Sequence, residues 1–89
     1  MLLDVIEVKY IADYRLFIKF EDGMAGEVNF KPHLKFRGVF APLRSKKKFA
    51  EVMIEPEGGT ICWPNGADWA PETLYELLLE QTGRKAGAA

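Results

Sequence analysis

The chain has 89 residues, which suffices for one domain and one core. A hydrophobic share of 48% excludes a disordered chain, and 12 Lys and Arg against 13 Asp and Glu give no basic excess of the kind that phosphate-backbone binders carry. The single cysteine, Cys62, excludes an internal disulfide and a CxxC-type metal or redox site.

The N-terminal M-L-L-D-V-I-E-V-K-Y meets acids before any basic residue and holds no long apolar run, so it does not read as a signal peptide. No stretch approaches the roughly 20 apolar residues of a membrane span. The expectation is a soluble, cytoplasmic domain over residues 1–82, with residues 83–89 as a flexible C-terminal tail.

The first expected strand spans Asp4 to Ile11, with Ile6, Val8 and Tyr10 facing inward and Glu7 and Lys9 outward. The second, R-L-F-I-K-F, puts Leu16, Ile18 and Phe20 on one face. Glu21-Asp22-Gly23 reads as a hairpin turn, because Asp-Gly suits the positive φ of tight turns. The third strand carries Met24, Gly26, Val28 and Phe30 in phase. From Lys31 to Val52 the pattern is irregular and punctuated by Pro32, Gly38 and Pro42. It reads as a connection with short helical turns, Pro42 sitting in the first turn of one of them. Two further strands, E-V-M-I-E and T-I-C-W, flank a turn at Pro56 to Gly59. The last element is the helix P-E-T-L-Y-E-L-L-L-E-Q-T, started by Pro71 or capped by Asp68, with Gly83 as its C-terminal cap.

On a helical wheel Leu74, Tyr75, Leu77, Leu78 and Leu79 make a wide apolar arc opposite Glu72, Glu76 and Glu80. Strands first and a helix last predict an α+β fold. The expected architecture is a mainly antiparallel sheet of about five strands, a C-terminal helix on one face and a short middle helix. The arc is wider than one sheet contact needs, which makes Tyr75 and Leu79 candidates for a protein-facing edge. Phe17 and Met53 fall on the polar phase of their strands. They form an exposed spot for a protein contact, a homodimer through the sheet included, unless the middle segment covers that face.

The stretch W-P-N-G-A-D-W-A-P-E has two readings. In the functional one, Trp63, Asn65, Asp68 and Trp69 frame a polar pocket beside a helix N-terminus. In the favoured one, Trp63 packs into the core, Asn65-Gly66 turns the chain and Pro71 starts the helix. The basic cluster Arg44, Lys46, Lys47 and Lys48, with Lys35 and Arg37 nearby, would touch phosphates or an acidic partner, or would be a solvated helical turn. His33 is the only histidine, too few for a multi-histidine metal site. Ser45 lacks a nucleophile-elbow context, and Cys62 lies inside a strand as a small apolar filler. No catalytic residue, metal or cofactor is expected.

Phe20-Glu21-Asp22-Gly23, then Gly38-Val39-Phe40-Ala41-Pro42-Leu43, then Trp63 through Tyr75 resemble the motifs of domain-of-unknown-function family 2442. Its pattern ends in W-P-N-G-x-D-x-x-P-x-x-L-Y, and the likeness covers residues 4 to 80. The resemblance implies a short prokaryotic protein without catalytic residues to carry over. Some members are joined to a helix-turn-helix DNA-binding domain, for which this chain leaves no room. Many are encoded beside another small protein, in the manner of toxin–antitoxin pairs. The function expected from this is a non-enzymatic, antitoxin-like or regulatory protein-interaction module. Its alternatives are a nucleic-acid-associated regulator acting through Arg44 and Lys46 to Lys48, and a small-ligand binder or hydrolase at Asn65 to Asp68.

Overall fold

In R-L-F-I-K-F the residues Leu16, Ile18 and Phe20 recur at every second position, with Phe17 the one apolar residue on the other phase, and this stretch is the central strand. The computed structural model describes residues 4–35, 37–57 and 59–82. Strands β1 (Val5–Ala12), β2 (Arg15–Phe20) and β3 (Ala25–Asn29) form an antiparallel sheet in the order β1-β2-β3. Leu16, Ile18 and Phe20 are fully buried on its inner face, as a period of two requires. At the Asp22-Gly23 turn Phe20 N–H donates to Met24 O at 2.8 Å, Gly23 takes a φ of 92°, and the Asp22 carboxylate accepts from Met24 N at 2.9 Å. Gly23 reaches that φ without a Cβ clash.

β1 departs from its expected phase. Val5 pairs with Phe20 and Val8 with Ile18, three residues stepping against two, so an extra residue bulges between Val5 and Glu7. Val5 is buried in place of Ile6, which is 54% exposed. A second irregularity lies between Tyr10 and Ala12.

The expected sheet of five strands is also divided. β4 (Met53–Ile54) and β5 (Ile61–Cys62) form a separate two-stranded ladder and do not join the main sheet. Pro56 follows closely and has no N–H to extend it. β4 lies beside β1, and Val5 N–H donates to Gly59 O at 2.7 Å.

Between the sheets run two 3-10 turns, Lys31–His33 and Gly38–Arg44, and the one-turn helix α1 (Lys46–Phe49). Pro42 sits inside the second 3-10 turn rather than opening a helix. Ser45 caps α1, its hydroxyl accepting from Lys48 N at 3.4 Å. The segment's large apolar groups, Phe30, Leu34, Leu43 and Phe49, join the cluster that holds Leu16, Ile18, Ile61, Trp63 and Leu74. They therefore pack on the inner face of the sheet, away from its outer face. Phe17 lies on that outer face, half-buried, with Lys9 and Glu27 as its cross-strand partners.

Helix α2 (Pro71–Thr82) has Pro71 as its first helical residue, where the missing N–H is no loss. Asp68 does not cap it; its backbone bridges to Cys62. Leu74, Leu77 and Leu78 face the core, and Glu72, Glu76 and Glu80 are exposed. The helix crosses β3 at Gly26, where a Cβ would stand 2.9 Å from Leu78 Cδ1 and 3.0 Å from Thr82 Cγ2. The Gln81 amide completes the dock, accepting from Asn29 N at 2.8 Å and donating to Asn29 O at 2.9 Å. Among the described residues no helix is long and apolar enough to cross a membrane. Gly83 and the expected tail, 83–89, lie outside the described residues, as do Phe36 and Gly58.

Candidate functional site

The W-P-N-G stretch is a turn closed by its own backbone and tied to two other segments by the Trp63 and Asn65 side chains. Gly66 N–H donates to Trp63 O, and Trp63 N–H to Ala67 O, both at 2.9 Å. Gly66 takes a φ of 94°, which a side chain would resist. The Asn65 side chain accepts from Ala67 N at 3.2 Å and donates to Val39 O at 2.7 Å, pinning the 3-10 turn at Gly38–Arg44. Trp63 is buried, and its indole N–H donates to Phe49 O at 2.8 Å. Trp69 stacks edge-on against Phe30 at 5.2 Å and Phe40 at 6.3 Å, its buried indole N–H without a partner among the described residues. Asp68 points to solvent. Trp63 and Asn65 rim a notch of about 100 Å³ with Leu43, Lys48 and Glu51. Ligand clefts usually start near 300 Å³. Asp68 and Trp69 do not line the notch, so it gathers two of the four candidate residues.

The groups considered for chemistry lie on different elements. His33 ends a 3-10 turn, the Ser45 hydroxyl serves as a helix cap, and Cys62 lies in β5. Burial, with the Glu55 and Asp68 charges beside it, pushes the Cys62 thiol up and away from a reactive thiolate. No cluster of three His, Cys, Asp or Glu suited to a metal ion occurs among the described residues.

The candidates for protein contact separate. Leu79 is only 8% exposed, and Tyr75 is half-buried, with its ring edge-on to Phe20 at 4.9 Å. The Tyr75 hydroxyl donates to Asp22 Oδ2 at 2.7 Å. That bond, with the Met24 N–H, holds the Asp22 carboxyl below its ordinary range and raises the Tyr75 hydroxyl. Met53 is 43% exposed, but on β4 and not beside Phe17. Its exposed apolar company is on neighbouring β1, where Ile6 is joined by Ile11 at 41% and Tyr10 at 36%. The sequence reading missed this edge by placing Ile6 and Tyr10 inward. Val5-Ile6 followed by Val8 carries apolar residues in both phases, and that doubling was the available signal for a bulge.

Arg44, Lys46, Lys47 and Lys48 are exposed, and Lys46 reaches Asp13 Oδ1 at 3.0 Å. They belong to a broader segregation of charge. Residues 28–50 hold Lys31, Lys35, Arg37, Arg44, Lys46, Lys47 and Lys48 and no Asp or Glu, within a chain whose net charge is -1. The near-neutral total conceals this imbalance.

One family profile, described as a protein of unknown function (DUF2442), matches residues 5–79. No curated protein and no solved structure matches the chain. The matched span takes in all three strands of the main sheet, the W-P-N-G turn and α2 down to Leu79. By that match over most of its length, the chain belongs to domain-of-unknown-function family 2442.

Proposed function

We propose that this domain is a non-enzymatic protein-interaction module, the antitoxin-like or regulatory half of a small bacterial gene pair in the cytoplasm. Its partner adds an extended segment along the outer edge of β1. The observation that carries this reading is the apolar edge: Ile6, Tyr10 and Ile11 stand exposed on an eight-residue edge strand, with Met53 of β4 beside it. An edge strand offers unpaired backbone donors and acceptors, and apolar side chains along it give an added strand something to bury. Among the described residues Val5 N–H to Gly59 O is the only backbone hydrogen bond that β1 makes outside its own sheet. The two irregularities of β1 blunt the edge against indiscriminate pairing, which suits one specific partner. The use of the Ser45 hydroxyl as a helix cap and the raised Cys62 thiol support a role without catalysis.

The test is co-purification with the product of the neighbouring gene, using the chain and an Ile6→Lys, Ile11→Lys variant. The reading expects a stoichiometric complex that the variant fails to form. A complex indifferent to the variant overturns it, and self-association lost in the variant identifies a second copy as the occupant.

The charge segregation favours a second reading, a nucleic-acid-associated regulator using Arg44 and Lys46 to Lys48. It expects binding that falls steeply with salt and disappears on charge reversal of those lysines.

A further inference from the structure

The β1–β2 turn, the end of β3 and the start of α1 enclose an open groove of about 390 Å³ lined by Asp13, Tyr14, Arg15, Asn29, Lys31 and Lys46. We propose that this groove binds a phosphate-bearing small molecule, its phosphate held by Lys46, Arg15 and Lys31 with the Asn29 amide beside them. The volume falls within the range of small-ligand clefts. Three cations against one carboxylate leave the lining with an excess of positive charge.

The donors come from separate elements and converge only in the fold. Arg15 opens β2, Asn29 closes β3, Lys31 starts a 3-10 turn and Lys46 starts α1. Asn29 Oδ1 already accepts from Lys31 N at 3.1 Å, so the side-chain NH₂ remains to donate. Lys46 is paired with Asp13, and Arg15 with Glu27 at 3.2 Å, but all four side chains are solvent-accessible. Exposed pairs hold weakly, and a phosphate with more charge than a carboxylate displaces them. Tyr14, the one aromatic residue among the described lining, is buried and its hydroxyl donates to Arg44 O, which leaves little of its ring for a base to stack on. That favours recognition of the phosphate over recognition of a nucleobase.

Asp13 is the one described non-glycine residue with positive φ, at 50°, a backbone state that side chains resist. The turn keeps a carboxylate there, facing the groove cations. Lys46 first, then Arg15 and Lys31, hold the Asp13 carboxyl below its ordinary range, so it is ionised throughout neutral pH. It therefore competes with any incoming anion, and its removal has a predictable sign.

The experiment titrates the full chain with inorganic pyrophosphate and follows the backbone amides by NMR, with parallel titrations of Lys46→Gln, Arg15→Gln and Asp13→Asn. Asparagine tolerates the left-handed region, so the last variant retains the turn. The expected result is a saturable shift confined to residues 13–15, 29–31 and 46. Lys46→Gln and Arg15→Gln should each weaken binding by about tenfold, the weight of one charge-assisted hydrogen bond. Asp13→Asn should tighten it. Three results overturn the proposal: no saturable shift, equal shifts at Lys47 and Lys48, or weaker binding by Asp13→Asn. A second arm uses a short DNA duplex. If the duplex displaces pyrophosphate and Lys47→Glu abolishes its binding, the groove is part of a nucleic-acid surface and the small-molecule assignment fails.

Discussion

At the scale of single residues, the Trp63–Trp69 turn distinguishes structural from ligand-binding roles. Asn65 ties two segments through both ends of its amide. Asn65→Ala should lower stability by about 1–2 kcal/mol in urea unfolding, the usual effect of losing two such bonds. Asp68 is exposed, so Asp68→Ala should stay within about 0.5 kcal/mol. The Asp22–Tyr75 bond predicts a pH profile. The Asp22 carboxyl is depressed below 3.8, so its contribution is present above that value and is lost as pH falls through the folded-state value. The Tyr75 hydroxyl is raised above 10.0, so its contribution is present below that value and is lost as pH rises through the folded-state value. Tyr75→Phe retains the ring contact with Phe20 and loses only the hydroxyl. Its melting temperature should lie slightly below that of the parent chain between about pH 5 and 9, by the weight of an exposed bond, and converge with it in stronger acid. Of these residue roles, the turn at Asn65-Gly66 and the start at Pro71 were legible from residue type. The positive φ of Asp13 was not, because aspartate is common in turns of every kind.

At the scale of elements, α2 approaches β3 closely at Gly26. Gly26→Val places methyl groups where Leu78 and Thr82 already stand, and it should cost about 1–3 kcal/mol. Leu78→Ala removes a fully buried side chain and should cost about 2–5 kcal/mol alone. The double variant should lose less than the two together, because each relieves the other, and a thermodynamic cycle on the four proteins measures the difference. β2, β3 and α2 were legible because each keeps one period for its whole length: Leu16, Ile18 and Phe20 at two, and Leu74, Leu77 and Leu78 at the helical repeat. β1 was misread because its apolar residues fit two phases, and only pairing with β2 decides which residue bulges. The division into two sheets was hidden because a strand of two residues has no period to detect. Leu79 reads as an edge on a wheel but is buried, because a wheel shows which face is apolar and not how much of it the neighbours cover.

At the scale of the whole molecule, two surfaces stand out, and both arise from the fold. The apolar edge joins β1 to β4, which are distant in sequence. The basic groove gathers Arg15, Asn29, Lys31 and Lys46 from four elements and Asp13 from the β1–β2 turn. Lys31 and Lys46 belong to the acid-free run from 28 to 50, which a net charge of -1 hides, whereas Arg15 joins them only through the fold. The edge accounts for the proposed role. If partner binding uses β1, the Ile6→Lys, Ile11→Lys variant should keep its stability within about 0.5 kcal/mol per substitution, since both side chains are solvent-exposed, while losing the partner. The most direct measurement is amide hydrogen exchange along the chain, alone and in complex with the product of the neighbouring gene. The account predicts that complex formation slows exchange in residues 6–11 of β1 while residues 44–48 exchange as before. Unchanged exchange in β1, with new protection at 44–48 or on α2, would contradict it.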